Sequence, residues 1–524
     1  MKEIRLIETL KTFTISEWKL FEKFAASPFF NNGRNYLPFI KQLRKFYPAF
    51  ESDKLTYEHI HKKLYPGKKF NKQMMWNLAS ELEKLSKEFM LQLGLKENKI
   101  DRFRILFGEL LKRKLDKQNL KEIETAEKLL DTKKTGPDHF YSGWIIEESK
   151  TEYWITIKGR QDIALINIVK GVEYFIQKMF ADIAVQVWDL HVFGRMYNSS
   201  PGSKTAYGFF TKLDLEKIVI HAEENNFSFA PVLRFYYNKI MSAIDEDNEM
   251  YFFEMKKFFE ANSDLFDIME QKNILITLAN YCANKMRLGN EFYFKELFEI
   301  NKMRLEKRTD TFLNGRINKA LYHQVLRNAL AVNEIKWGED FIKEYTPKLN
   351  PEFRKPMEAM ALGYLNFVKK DYRKTLYHIN RVEFIDIRDK LHTRILSAKS
   401  YYELSETELL LHYIDSSKHF ISGNDAIEEE TREAYLKFFK YLERLVHCGE
   451  SNESNTLEKL KESIGEDKAL RLRHGSWFGE KINELEKVTA LTSRKAAKTQ
   501  RKDKEFKFTL TGTYYVHRRV ALCT

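Results

Sequence analysis

Apolar residues along this chain recur at intervals of three and four over most of its length, the spacing of amphipathic helices. The stretch NKQMMWNLASELEKLSKEFMLQL (71–93) is a clear case. At about 100° of rotation per residue, Met75, Leu78, Leu82, Leu85 and Phe89 fall on a single stripe. Gln73, Asn77, Ser80 and Lys84 fall on the opposite side. Asn71 is placed to cap this helix. Upstream, Ser16 is placed to cap a helix through Trp18, Phe21 and Phe24 that ends at Ser27-Pro28. Another helix is predicted from about Tyr36 to Phe46, stopping at Pro48, and Thr56 is placed to cap one that reaches Leu64. Residues 1–95 therefore read as a compact N-terminal helical domain with a candidate helix-turn-helix over 56–93.

Longer helices follow over a connecting region, 96–200. NSSPGSKTAYG (198–208) reads as the clearest internal joint, rich in glycine, serine and threonine around Pro201. From 205 to 445 the pattern is one of successive helical hairpins, and 446–490 reads as capping helices that end in SWFGEKINELEKV. The last segment, 491–524, changes character: a basic run leads into EFKFTLTGTYYVHRRVALCT, which alternates as a strand does. It reads as a basic tail, disordered or forming a short hairpin. With only 21 glycines and 10 prolines in 524 residues, turns are too scarce for an all-β fold, and the expected class is all-α.

Internal repetition refines this expectation. At a spacing of 35, windows between residues 321 and 420 align, with columns Leu326/Ala361/Leu396, Val332/Phe367/Tyr402, Trp337/Tyr372/Thr407 and Phe341/Leu376/Leu411. The first two columns fall on the first helix of each hairpin, and the other two open the second. Here the chain resembles tetratricopeptide-like repeats. The family's Leu-Gly pair is matched by Leu362-Gly363, its second-helix aromatic by Tyr372, and its small first-helix residue by Ala398. Trp337 and Tyr402 join these as repeat-packing positions. The family's small residue in the second helix is replaced, on this alignment, by Asp340, Thr375 and Leu410. The resemblance implies an α-solenoid over 205–445 whose concave surface binds a protein or peptide, because a lone hairpin cannot bury its apolar faces and a stack can.

Charge is unevenly placed. The net charge is +13, of which residues 1–100 supply +8 and residues 490–524 supply +7, leaving the body at −2. Lys62, Lys63, Lys68, Lys69 and Lys72 cluster around the Pro66-Gly67 corner, where backbone-positioning contacts to a nucleic acid would lie. Gln73, Asn77, Ser80 and Lys84 follow on the outward face, where amides and an ammonium can read base edges. This stretch resembles the winged-helix region of bacterial transcriptional-activator domains, through Leu64-Tyr65-Pro66 and Asn77-Leu78-Ala79-Ser80-Glu81-Leu82. The resemblance covers about 30 residues and lacks the β-wing, because LQLGLKENKIDRFRILF returns to helix. Glu81, Glu83 and Glu88 would repel phosphates, and an ordinary amphipathic helix explains the same letters.

Chemistry-bearing motifs are absent. No H-E-x-x-H, G-x-S-x-G, phosphate loop or dinucleotide fingerprint occurs. His59 and His61 point apart on a helix and read as surface residues, and His191 reads as a core or near-core histidine. Asp245, Asp247 and Glu249 open like a calcium loop, but Met250 stands where glycine is required and Lys256 where the last ligand would be. Cys282, Cys448 and Cys523 are too scattered for a disulfide framework or a zinc site. The N-terminus lacks an unbroken apolar stretch, and no run is long enough to span a bilayer. The expectation is a cytoplasmic, non-catalytic scaffold that binds a protein or peptide, with no cofactor and no metal. One alternative is a DNA-binding regulator with a repeat sensor, using the basic N-terminal domain or the tail. The other is an enzyme whose site no motif reveals.

Overall fold

The computed structural model describes residues 4–196, 201–288, 290–307, 315–381, 386–427, 429–451, 454–467 and 474–490. The tail expected over 491–524 lies outside them. Among the described residues the protein is all-helical, with no β-strand. No described helix is long and apolar enough to cross a membrane. The chain divides into two compact units, Met1–Asp182 and Ile183–Thr524. The division falls within the Gln161–Met196 helix.

The first unit opens with α1 (Arg5–Lys11), α2 (Ile15–Ala26), α3 (Pro28–Asn31), α4 (Leu37–Arg44), α5 (Tyr57–Leu64) and α6 (Lys72–Glu97). Thr14, not Ser16, caps α2: its hydroxyl accepts from the Glu17 amide while the Glu17 carboxylate accepts from the Thr14 amide. The reciprocal pair satisfies two orphan donors where Ser16 would satisfy one, so the helix starts two residues earlier. Thr56 and Asn71 cap α5 and α6 as their positions predict. The predicted stripe of α6 is its buried face: Met75, Leu78, Leu82, Leu85 and Phe89 are all under a tenth exposed. They pack against α1, α2 and α5 around Phe13, Trp18 and Phe21, whose rings meet edge to face. Lys99–Lys112 continues directly in helix, so no wing follows α6. That helix, Asp116–Asp131 and Pro137–Thr156 share a separate core centred on Phe103, Phe107, Ile146 and Tyr153.

In the second unit the joint expected at 198–208 is instead largely helical, as Pro201–Thr211. Pro201 sits at the first helical turn, where its missing amide is no loss, and Gly202, Ser203 and Gly208 are carried into the helix behind it. Beyond it helices pair in sequence. Lys319–Ala331 turns into Ile335–Tyr345, Pro351–Val368 into Tyr372–Ile379, and Ile387–Glu403 into Thr407–Ser422. The first helix of each pair also packs against the first helix of the next.

The three turns share one geometry. Asn333, Lys370 and Ser405 adopt left-handed backbone with φ of 64°, 61° and 56°. In each, the left-handed residue's amide bonds back three residues, and the next amide bonds back five, as Glu334 does to Ala329, Asp371 to Asn366 and Glu406 to Tyr401. This is the Schellman arrangement, which satisfies the last free carbonyls of the helix. Lys114 and Asn226 turn the same way in earlier hairpins. None of the five positions is glycine, which is how so glycine-poor a chain makes so many tight turns.

Because the turn fixes the register, the alignment at a constant spacing of 35 is two residues out in its first window. Asn333 corresponds to Lys370, so Gly338, not Asp340, corresponds to Thr375 and Leu410. All three are buried, whereas Asp340 is exposed. On the first helices Leu326, Gly363 and Ala398 correspond. Gly363 is there for close approach: a Cβ at that position would sit 2.6 Å from Ile379 Cγ2.

Candidate functional site

The basic face of the first unit is arranged much as its sequence implies. Lys62, Lys63, Lys68, Lys69, Lys72, Gln73, Asn77, Ser80 and Lys84 are all exposed. None of these six lysines is ion-paired among the described residues. Lys72 lies over the ring of Trp76 at 4.8 Å, and Trp76 is 47% exposed, a large aromatic the motif had not included. The Gln73 amide donates to Asn77 Oδ1 at 2.9 Å, so the two groups that would read bases are engaged with each other. The acids named as repulsive have their own partners: Glu81 accepts from Arg34 and from Tyr36 Oη, and Glu83 pairs with Lys87. His61 is not a surface residue. It is 3% exposed, with its ring between Tyr65 and Phe70, because the corner after α5 folds those aromatics back onto the helix end.

A second constellation appears only in the structure, on the first helices of the three hairpins. With the register set by the turns, Arg327, Tyr364 and Lys399 occupy one column, each immediately after the small-residue position. The Arg327 guanidinium lies 5.6 Å from the centre of the Tyr364 ring. One turn earlier, His323 lies 5.4 Å from Tyr364 and 5.3 Å from the His392 ring. His392 Nδ1 is 3.3 Å from Tyr435 Oη. Lys399 projects between Trp477, at 4.8 Å, and Phe438, at 5.9 Å. Trp477 is fixed in turn, donating from Nε1 to Glu403 Oε1 at 2.8 Å, while the buried Lys481 bonds the other oxygen at 3.0 Å.

Electrostatics set this row apart from the rest of the unit. Lys319 is held by Asp386 at 2.8 Å and Asp389 at 3.0 Å. Arg327 and Lys399 have no carboxylate within ion-pair distance among the described residues. Burial, reinforced by the charge of Arg327 and opposed by the pull of Glu403, lowers the Lys399 ammonium to about 7. Burial, with Arg327, His392 and Lys319 adding to it, lowers His323 to about 2. The His323 Nε2 atom is sealed from solvent with no hydrogen-bond partner. Burial also raises the Asp389 carboxyl, against the pull of Lys319. A buried lysine elsewhere in the unit is treated differently: Lys239 lies 3.5 Å from the Glu270 carboxylate, which also accepts from Tyr236 Oη at 3.0 Å. Lys399 has only the more distant attraction of Glu403, whose oxygens are taken by Trp477 and Lys481. Strongly displaced ionisable groups on neighbouring helices make this row a candidate functional site.

The repeat-packing residues lie mainly behind this row. Ala398 is buried and Leu362 packs in the core of the first two hairpins. Trp337 stacks on Phe341 and meets Phe298 edge on, and Tyr372 packs on Phe367. Tyr402 alone reaches the row, edge on to Trp477 at 5.4 Å. His191 is near the core, 3.5 Å from Glu246, and Glu249 pairs with Lys285. Burial pushes the Cys282 and Cys448 thiols up, away from thiolate chemistry. Among the described residues no three His, Cys, Asp or Glu side chains are grouped to hold a metal ion. The chain matches no known protein-family model, no curated protein and no solved structure.

Proposed function

We propose that this protein is a non-catalytic interaction scaffold whose C-terminal hairpins stack as a tetratricopeptide-like α-solenoid. It takes a partner protein or peptide along the face made by their first helices. The observation that carries this reading is the column Arg327, Tyr364 and Lys399, with His323, His392 and Trp477 beside it. One of its cations, Lys399, is half-buried with no carboxylate in ion-pair distance, a cost to stability that is tolerated where a ligand supplies the missing charge. The common turn geometry and the spacing from Gly363 to Thr375 support the repeat architecture.

The test is partner capture from cells of the source with the full-length protein and with an Arg327→Gln, Tyr364→Ala double variant. A discrete protein held by the first and released by the second is the expected result. Recovery of the same proteins by both, or of none by either, overturns the reading.

A second reading has its own observation: six unpaired lysines around an exposed Trp76 suit a polyanion, and an aromatic between lysines suits nucleic-acid bases. In this reading the N-terminal unit binds DNA and the repeats respond to a partner. Duplex binding that weakens steeply with salt, and that Lys68→Ala with Lys69→Ala reduces for all sequences alike, is its expected signature. No retardation of duplex DNA at low salt by protein ending at residue 490 removes it.

A further inference from the structure

The helix Gln161–Met196 is built inside out over residues 161–182, the part that lies in the first unit. With Val172 at 0° and about 100° of rotation per residue, Leu165, Ile168, Val169, Phe175, Ile176 and Met179 fall within about 60° of it. Leu165, Ile168, Val169, Val172 and Phe175 are between 45% and 60% exposed. Asn167, Gly171, Gln177 and Ala181 fall on the opposite side and are buried. The polar pair there is satisfied within its own helix: Asn167 Nδ2 donates to the Ile163 carbonyl at 3.3 Å and Gln177 Nε2 to the Glu173 carbonyl at 3.1 Å. Two close approaches fix this rotation. The Tyr174 ring fills the space at Gly143, where a Cβ would lie 2.5 Å from it, and a Cβ at Gly171 would lie 3.6 Å from Glu147 Cβ. The helix cannot roll to bury its apolar side without losing both, whereas an ordinary amphipathic helix already faces the other way.

We propose that this stripe is the contact between two copies of the chain, which pair along helix residues 161–182. The pairing is independent of the partner-binding reading of the hairpins. Spacing, area and charge each favour a second copy over another occupant. Leu165, Ile168, Val172, Phe175 and Met179 recur at alternating steps of three and four, the spacing of the seam between two paired helices. With Ile166 at their edge, the exposed residues offer roughly 600 Å² of apolar surface, the upper end for the largest patch on a monomer. Two copies meeting on it bury roughly 1,200 Å² from these residues alone, which is where stable interfaces begin. A helix that lies on a lipid surface carries a cationic polar face. Residues 161–182 instead carry Lys170 and Lys178 against Asp162, Glu173 and Asp182.

The experiment measures the mass of the full-length protein in solution, by sedimentation or light scattering, over a range of concentrations. A dimer that dissociates only below about 10 µM is expected. Leu165→Glu with Val172→Glu puts charge into the seam and should raise the dissociation constant about a hundredfold or more. Both positions are exposed, so the fold should tolerate the change, and melting curves of the variant check that. Should the double variant fail to fold, Val172→Ala keeps the helix, removes apolar area from both copies, and should weaken the dimer about tenfold. Lys170→Glu, on the same helix but off the stripe, should leave the dimer intact. A wild-type chain that stays monomeric overturns the proposal. So does a dimer that the stripe variants leave unchanged, which places the interface elsewhere. Flotation of the wild-type protein with vesicles of phosphatidylcholine and phosphatidylglycerol, lost in the double variant and without any dimer in solution, also overturns it and assigns the stripe to lipid.

Discussion

The lysines of α5 and α6 stand in solvent and cost the fold almost nothing, whereas Lys399 stands half-buried between two rings without a counterion. Both are basic, and both lie on helices with a well-formed apolar side. They differ in what holds them. The N-terminal cations come from one contiguous stretch, and their exposure follows from the helix period alone. Arg327, Tyr364 and Lys399 come from three helices and share a position set by turns of identical geometry; Arg327 lies over Tyr364, and Lys399 lies between Phe438 and Trp477. An exposed cluster of lysines is therefore weak grounds for a function, since solubility accounts for it. A desolvated and unpaired cation has no such ordinary explanation.

The sharpest way to break this comparison is to disturb the packing that aligns the column. Gly363→Leu drives a side chain into Ile379 and Leu396, 2.6 Å and 3.5 Å from where its Cβ would lie. It should cost about 3 kcal/mol, read from chemical denaturation, and release any partner held by the column. An effect below about 0.5 kcal/mol would mean that the two helices separate easily and that the column is not rigidly held.

The next effect depends on pH. His323 has a folded value of about 2, far below the unfolded value of about 6.5, so the folded state resists protonation. The stability contributed by the neutral imidazole is complete above pH about 6.5 and is lost as pH falls toward the folded value. Between pH 7 and pH 5 the loss should be about 2 kcal/mol, and His323→Phe should remove it. Parallel acid profiles for wild type and variant would show that His323 is open to solvent after all.

The smallest effect belongs to the other region. Lys68→Ala with Lys69→Ala should change stability by less than about 0.5 kcal/mol, because neither lysine makes an ion pair or is buried. A larger loss would mean that the N-terminal cations are structural.

The contrast also marks where sequence reading succeeds. The helical class, the caps at Thr56 and Asn71 and the buried stripe of α6 follow from local rules, and each is where its letters place it. Ser16 was overruled by Thr14 because the capping box depends on Glu17 three residues on, a signal present but outranked by the simpler choice. The 198–208 segment misled because Pro201 can begin a helix as readily as end one. Successive hairpins were legible, but their turns are spaced 37 residues from Asn333 to Lys370 and 35 from there to Ser405, so a constant period shifted the first window. That shift hid the column. Aligned on the turns, Arg327, Tyr364 and Lys399 share a position that is polar or aromatic beside an otherwise apolar or small one. The burial of Lys399 is not local at all: it depends on rings from residues 438 and 477 that no nearby sequence announces, and that of His323 on Tyr364 and His392 from later helices.

The central claim is that Lys399 stands half-buried as a cation at the expense of the fold, and the melting temperature of Lys399→Met as a function of pH tests it most directly. Protonation of Lys399 is opposed in the folded state, so its cost is complete below pH about 7 and fades as pH rises toward about 10.5, where the unfolded lysine also loses its proton. The variant should therefore melt higher than wild type at pH 7, by the equivalent of about 2 kcal/mol, because a half-buried ammonium retains part of its hydration. The difference should shrink toward zero at high pH. A variant that melts lower than wild type at pH 7 would show that Lys399 supports the fold, and would contradict the account.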